Sequence, residues 1–378
     1  MKLKRLFATG AAAAILCSGC SAAPSSSASA GSEAQLLTYK NSAVDAGFDT
    51  VYAYSETGYD AEQMKAHFDT GVSLFRKYND LFDIYNDYEG IANLKTINDN
   101  AGIAPVECDS EIIAMLKDAK YFYDLSGGCF DITSGALMHV WHEYRTQGIE
   151  MNLEGKTAPL PSEAELSEAA KLCGWDKVQI DEEAGTVFIT EAGVSLDVGG
   201  IAKGYTAEKI AQAIAQDEIV SAAVDAGRNV RTINAKADGS PWNVRIVSPD
   251  GSGGSMIVQA AGSCSFVTSG DYERFFVGED GKNYHHIIDT STMYPAAYYR
   301  SVTILTEDSA AADCLSTALF CMSVEDGRKM LAQYAQESGH PADAVWIMDP
   351  DKAQEEGRDT EDFHIVWTEG LTDRIIFE

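Results

Sequence analysis

Leu196-Asp197-Val198-Gly199-Gly200-Ile201-Ala202-Lys203-Gly204-Tyr205 runs from strand-like apolar residues through a glycine pair into the start of a helix. Glycines let a backbone approach a ligand closely, and the first N–H groups of a helix point outward without partners. Together they make an anion cradle, to which Lys203 adds a point charge. A tight strand-to-helix turn with a solvated lysine is the other reading of the same residues. The spacing is neither G-x-G-x-x-G nor G-x-x-x-x-G-K-[ST], so neither dinucleotide-fold nor P-loop architecture follows.

Outward from this stretch, helices and strands mix without a regular βαβ rhythm. Residues 48–54 read as a strand, and Met64, Phe68, Val72, Phe75 and Phe82 fall at helical spacing over about 60–85. A second helix is expected over 110–126, stopped by Gly127-Gly128. Strands 187–190 and 194–198 look paired around Glu191-Ala192-Gly193, followed by a helix over 204–215. Further strands are expected at 220–224, 243–248, 256–260, 284–288, 301–305, 344–348 and 364–367, with a helix over 309–322. Segment 145–165 reads as a surface loop. The pattern predicts an α+β fold with a largely antiparallel sheet.

Two other stretches could carry chemistry. In Ala311-Ala312-Asp313-Cys314-Leu315-Ser316-Thr317, Asp313 and Thr317 stand four apart on one helix face. Their small and apolar neighbours make an unpartnered carboxylate costly. Mg²⁺ would satisfy both oxygens and carry substrate phosphates. The alternative is an aspartate serving exposed helix N–H groups, with Thr317 bonded back to a carbonyl. In Tyr284-His285-His286-Ile287-Ile288-Asp289, strand alternation puts His286 on the face opposite His285. A histidine beside a phosphate site can serve as general base on a hydroxyl, although a lone strand histidine is more often only a satisfied polar residue.

The 378 residues hold 28 Lys+Arg against 58 Asp+Glu, a formal charge of −30. That balance disfavours nucleic acid and a polybasic grip on anionic lipid. Lys2, Lys4 and Arg5 precede a short apolar run, which reads as a secretory signal over residues 1–19. Cys17-Ser18-Gly19-Cys20 resembles a lipoprotein lipobox with Cys20 as the lipidated residue, followed by a Ser/Ala/Pro/Gly tether over 20–36 and a folded body over 37–378. Cleavage within the Ser/Ala stretch is the alternative. The arrangement places the body on the extracytoplasmic face of a bacterial membrane, held by a lipid anchor. Cys108, Cys129, Cys173, Cys264, Cys314 and Cys321 form no C-x-x-C pair, and a disulfide framework is not expected.

Phe48-Asp49-Thr50, the run ending in Leu94-Lys95-Thr96-Ile97-Asn98, Phe130 to Trp141, Leu196 to Tyr205, Thr268 to Arg274, His286 to Asp289 and Ala312 to Thr317 occur in that order. This ordered series resembles the ApbE family, the FAD:protein FMN transferases, over about residues 40–370. The resemblance implies a T-fold-like α+β enzyme that binds FAD with Mg²⁺, attaches FMN to a threonine of a client protein and releases AMP. It places Tyr85 on the flavin, Cys129, Phe130 and Asp131 along the cofactor, and Asp131 and Asp197 in hydrogen bonds to it. Lys203 and Ile288 would also contact FAD, Gly200, Asp313 and Thr317 would hold the metal, and His286 would activate the acceptor.

The sequence departs from the family pattern at four places. Phe48 replaces a methionine, Arg228 the second glycine of a pair, Ser316 a carboxylate that some members carry, and Asp289-Thr290-Ser291-Thr292-Met293-Tyr294-Pro295 lacks a proline and a glycine. The implied clients are membrane electron-transfer subunits or extracytoplasmic reductases. FAD hydrolysis to FMN and AMP, and flavin binding without catalysis, are the other functions compatible with the same residues.

Overall fold

A computed structural model of the chain describes residues 35–251 and 254–377. The signal segment, Cys20 and most of the tether lie outside the described residues. Nine strands form a central sheet in the order 37–43, 52–58, 221–226, 230–233, 264–270, 301–306, 343–348, 364–367 and 358–359. Every pairing in it is antiparallel, in agreement with the α+β expectation.

Alternation along the central strands sorts their side chains onto two faces. Val267, Val302, Ile304, Trp346 and Val366 join one cluster with the helices, while Phe266, Leu305, Val345, Ile347 and Ile365 join another with Ile246, Met256 and Val258 of a three-stranded sheet. Strand Ser301–Thr306 is buried along its whole length because both faces are covered.

On the helical face, α1 (Ala61–Phe82) is capped by Asp60 and buries Met64, Phe68, Phe75 and Phe82. The short helix α2 (Leu94–Asp99) follows, closed by an Asn93–Thr96 capping box. Next come α3 (Ser110–Leu125), α4 (Gly135–Leu153) and α5 (Glu163–Ala170). The last three helices are α6 (Ala202–Ile214), α7 (Ser309–Phe320) and α8 (Val324–Ser338). Every residue of α7 except Thr317 is buried.

Four expectations require correction. The strand expected from residue 48 starts at Tyr52, because Phe48 and Asp49 adopt positive φ of 52° and 50° in a turn. Residues 194–198 form no strand: the Asn98 side chain takes the place of a partner strand, accepting from Leu196 N at 2.8 Å and donating to Leu196 O at 3.0 Å. Strand Thr186–Ile189 pairs instead with Val178–Asp181 and Val106–Glu107. The loop expected over 145–165 is largely the second half of α4 and the start of α5. The strand expected over 284–288 is broken, with Asn283–Tyr284 and Ile288–Asp289 in separate hairpins and His285 to Ile287 between them.

The six cysteines after Cys20 are free thiols, three buried and three half-buried, as expected. Among the described residues no helix is long and apolar enough to cross a membrane.

A buried polar network joins the first sheet strands to α1 and to the segment after α6. His67 Nδ1 meets Glu56 Oε2 at 2.9 Å, His67 Nε2 meets Asp217 Oδ2 at 3.0 Å, and Tyr54 donates to Glu56 Oε2 at 2.6 Å. Burial pulls the His67 pKa down, but the two carboxylates outweigh it and the net shift is upward from 6.5. The fold therefore favours histidinium. The stability this adds is complete below the unfolded value and is lost as pH rises through the raised folded value. Urea unfolding measured from about pH 6 to about pH 9 should show this loss in the wild-type chain, and a His67→Gln variant should lose that component of the slope.

Candidate active site

The segment leading into the glycine turn is pinned before it turns. Asp197 N donates to Ile132 O at 2.8 Å, and Asp197 Oδ1 accepts from Gly199 N at 2.9 Å. The α6 helix then begins at Ala202 without a side-chain cap from its own N-cap residue, Ile201. Asp313 of α7 supplies an acceptor instead: its Oδ2 takes the Gly204 N–H at 2.8 Å. An added Cβ at Gly204 would lie 2.2 Å from Ser309 O and 2.5 Å from Asp313 Cβ, so the two helices touch at this glycine.

Asp313 is 4% exposed, yet its second oxygen makes no hydrogen bond among the described residues. The helix-capping alternative for Asp313 is thus half correct: its own helix is capped by Asp308, and Asp313 serves the neighbouring one. Thr317, one turn further along α7, has no hydrogen bond from its hydroxyl and does not bond back to a carbonyl. A Cβ on Gly200 would lie 3.1 Å from Thr317 Oγ1 and 3.1 Å from Phe130 Cε2. The structure therefore brings the glycine turn, Thr317 and Phe130 together. Lys203 Nζ donates to Gly199 O at 3.2 Å, within its own turn.

Gly127 and Gly128, at φ of 61° and 91°, turn the chain after α3 toward Cys129, Phe130 and Asp131. Phe130 is buried, and burial pushes the Cys129 thiol up, away from thiolate chemistry. Asp131 Oδ1 accepts from Thr133 N at 2.8 Å and Thr133 Oγ1 at 2.6 Å, capping the turn that leads into α4. Burial raises the Asp131 carboxyl above its ordinary value.

His285 and His286 have different environments. His285 is buried, meets Ala296 O at 2.8 Å and accepts from Ile287 N at 3.1 Å, and its pKa is pushed down to about 4 chiefly by burial. It is a satisfied structural histidine. His286 has a buried Nδ1 without a hydrogen-bond partner. Burial, and then the positive charges of Arg274 and other neighbours, hold His286 well below the ordinary histidine range, so it is neutral and able to accept a proton. Ile288 is 3% exposed in a cluster with Leu137, Trp141 and Phe276.

Tyr85 is 59% exposed on a loop held by Asp83, which accepts from Tyr85 N at 2.6 Å and from Tyr88 Oη at 2.8 Å. Its ring centroid lies 5.7 Å from that of His142, and Arg145 donates to His142 Nδ1 at 3.1 Å. Asp197, Arg145 and Arg274 all lie near enough for their charges to act on the Tyr85 hydroxyl. The loop expected over 145–165 conceals Arg145 as a helix residue, and His142 carries no signal of its own in the sequence. The spacing of Leu137, Trp141 and Gly148, all buried, carries the helix onward and would have found them.

Two lost glycines keep the backbone shape of a glycine. Arg228 has φ of 74° and Met293 has φ of 65°. Arg228 N donates to Asp225 Oδ1 at 2.7 Å, and Trp141 Nε1 donates to Met293 O at 2.9 Å.

Comparison with known proteins gives one answer. The ApbE family model matches residues 48–339. An FAD:protein FMN transferase of Treponema pallidum (strain Nichols) is 36% identical over 274 residues, covering 68% of this chain and 71% of the relative. One of Klebsiella pneumoniae (strain 342) is 30% identical over 262 residues, covering 69% and 77%. Among solved structures, the ApbE protein of Thermotoga maritima superposes with a TM-score of 0.68 at 31% identity, covering 82% of this chain and 94% of that one. The Vibrio cholerae flavin transferase ApbE has a TM-score of 0.68 at 22% identity, over 90% and 100% of the two chains, and speaks for the fold alone.

The contact at Gly204 yields a test of how the site is held. Gly204→Ala should destabilise the chain by roughly 1–3 kcal/mol, because a methyl group there forces α6 away from α7. Thermal unfolding would measure the loss. An alanine variant as stable as the wild type would mean that the helices do not meet at this point.

Proposed function

The chain belongs to the ApbE family, and from that membership we propose that it transfers FMN from FAD to a threonine hydroxyl of a client flavoprotein, releasing AMP. The observation that carries this reading is the convergence on one glycine turn of a half-satisfied buried carboxylate, Asp313, and an unpartnered hydroxyl, Thr317. Both groups, with the carbonyl of Gly200, suit a hard cation with oxygen ligands. Among the described residues no group of three or more His, Cys, Asp or Glu could hold a metal. A cation here would thus draw further ligands from the substrate phosphates and water. When bound, Mg²⁺ would neutralise charge on the FAD pyrophosphate.

The chain's own residues bind, orient and move a proton. Tyr85 offers an exposed ring for the flavin, and Phe130 with the Cys129 turn borders the cofactor beside Gly200. Asp131 keeps one oxygen outside its capping bonds and Asp197 does the same, so each retains an acceptor for FAD. Lys203 contributes positive charge from the start of α6. His286 takes the proton of the acceptor hydroxyl as that oxygen bonds to the FMN phosphorus. The bond from that phosphorus to the bridging oxygen breaks, and AMP leaves with the electron pair. Little covalent work falls to the protein, as positioning and charge account for most of phosphoryl-transfer catalysis.

The lipobox-like Cys20 and the tether over 20–36 support an anchored, extracytoplasmic location, where membrane electron-transfer subunits or exported reductases would be the clients.

Mass spectrometry of a candidate client, after incubation with the protein, FAD and Mg²⁺, tests the reading directly. An FMN-sized mass gain on a threonine peptide is expected, and chelation of the metal should prevent it. Free FMN accumulating without a labelled client would point to hydrolysis instead. Asp313→Asn keeps an acceptor for the Gly204 N–H while removing the charge, and should abolish labelling in a folded protein. His286→Ala should slow labelling by about a hundredfold or more. Because His286 stays neutral well below 6.5, lowering the pH from about 8 to about 6.5 should cost no activity through its protonation.

A further inference from the structure

We propose that Glu208 is a positioning residue for the metal end of the site: by holding Ser309 N it fixes the register of α7 against α6, and so sets Asp313 and Thr317 against the glycine turn. The role rests on the flavin-transfer reading and on the divalent cation which that reading assigns to Asp313 and Thr317.

A ladder of contacts joins the two elements in antiparallel order. Glu208 Oε2 accepts from Ser309 N at 3.0 Å, and Asp313 Oδ2 accepts from Gly204 N at 2.8 Å. At the next rung a Cβ on Gly200 would lie 3.1 Å from Thr317 Oγ1. Each step of four residues back from Glu208 is matched by a step of four forward from Ser309. On a helix that step is about one turn, or about 6 Å, so the rungs lie along one seam. Each helix thus supplies a carboxylate to the unpaired N–H groups at the start of the other, where the helix dipole also favours negative charge. Asp308, the N-cap of α7, takes Ala311 N at 2.8 Å and leaves Ser309 N to Glu208.

The Gly204–Asp313 bond alone is a single point, about which α7 could rock or slide. A second point one turn away removes both motions. Glu208 is suited to that task because it is 7% exposed and both of its oxygens are occupied. Its Oε1 accepts from Gln212 Nε2 at 3.2 Å, and its Oε2 also accepts from Arg231 Nε at 2.8 Å. Arg231 lies on the central-sheet strand Val230–Ile233 and donates to Thr232 O at 2.6 Å. A buried carboxylate needs such a countercharge, and through it the seam is tied to the sheet. The Thr317 end differs, since one Asp313 oxygen and the Thr317 hydroxyl make no hydrogen bond among the described residues. The seam is therefore saturated at Glu208 and open where a cation with oxygen ligands would bind.

Fluorescence titration of FAD into the full chain, with Mg²⁺ and in EDTA and with no client present, reads the metal's contribution to FAD affinity. The wild type should bind FAD at least about tenfold more tightly with Mg²⁺. Glu208→Ala alone would leave Arg231 a buried unpaired charge and endanger folding, so two double variants that remove both charges carry the test. Glu208→Leu/Arg231→Met leaves Ser309 N without an acceptor and should bring the Mg²⁺ enhancement down to about one, with FAD binding in EDTA unchanged. Glu208→Gln/Arg231→Met restores an acceptor of the same reach and should recover most of the enhancement. Enhancement kept in both variants, whatever their melting temperatures, would make Glu208 a stability residue only and overturn the proposal. Enhancement lost in both would assign the effect to the ion pair rather than to the Ser309 contact, and would overturn it too. A wild type that binds FAD equally well with and without Mg²⁺ would overturn the metal assignment itself, and one that binds no FAD would overturn the transferase reading.

Discussion

The hydrogen bond from Gly204 N to Asp313 Oδ2 is the contact on which the site depends. It is buried, spans 109 residues of sequence, and joins the start of α6 to the second turn of α7. A charge-assisted bond in a low-dielectric setting is stronger than its neutral counterpart. The geometry demands a glycine, since any side chain would strike Ser309 O. Holding α6 against α7 also sets the distance between the glycine turn and Thr317. One oxygen of this carboxylate thus fixes the scaffold, while the other makes no hydrogen bond among the described residues.

This arrangement explains how an acidic chain can serve a polyanionic substrate. The net charge of −30 describes the surface as a whole. Around the site the balance differs: Lys203, Arg145 and Arg274 all act on His286, with Asp197 the carboxylate that acts on Tyr85, His142 and Arg145 alike. The same positive charges, after burial, help keep His286 unprotonated. Long-range repulsion between acidic surfaces is screened within about 8–10 Å at physiological salt. A local cluster can therefore dominate at contact distance.

The sequence was most legible where one periodicity governs. The face of α1, the strands buried on both sides at 301–306 and 343–348, and the Asp313–Thr317 pair follow directly from spacing. Legibility failed where a side chain replaces a backbone partner. Residues 194–198 carry strand-like residues, but Asn98 satisfies Leu196, so no ladder forms. It failed again at α4, whose polar residues Glu143, Arg145, Thr146 and Gln147 conceal a narrow apolar stripe. The placement of Arg145 on a helix is thereby hidden. Arg274 falls within the Thr268 to Arg274 motif, yet nothing in the spacing there shows that a helix more than a hundred residues earlier packs against the strand that follows.

Arg228 and Met293 show how a site can keep its shape after losing the residues that suit it. Both occupy left-handed backbone, a conformation that costs a residue with a Cβ roughly 1–2 kcal/mol. The neighbouring structure compensates each differently. Arg228 gains a hydrogen bond to Asp225 and an ion pair with Glu273, while Met293 N donates to Asp289 O at 2.8 Å and its carbonyl receives the Trp141 indole. The bonds that compensate are also the bonds that position the site: Glu273 precedes Arg274, and Trp141 lies on the helix that carries His142 and Arg145. Strain at the two turns is therefore tied to the placement of the Arg274 loop and of α4. Restoring glycine at either position would relax the backbone while removing nothing from Asp313 or Thr317. The Gly204–Asp313 contact and the two left-handed turns are in this sense held by separate parts of the fold.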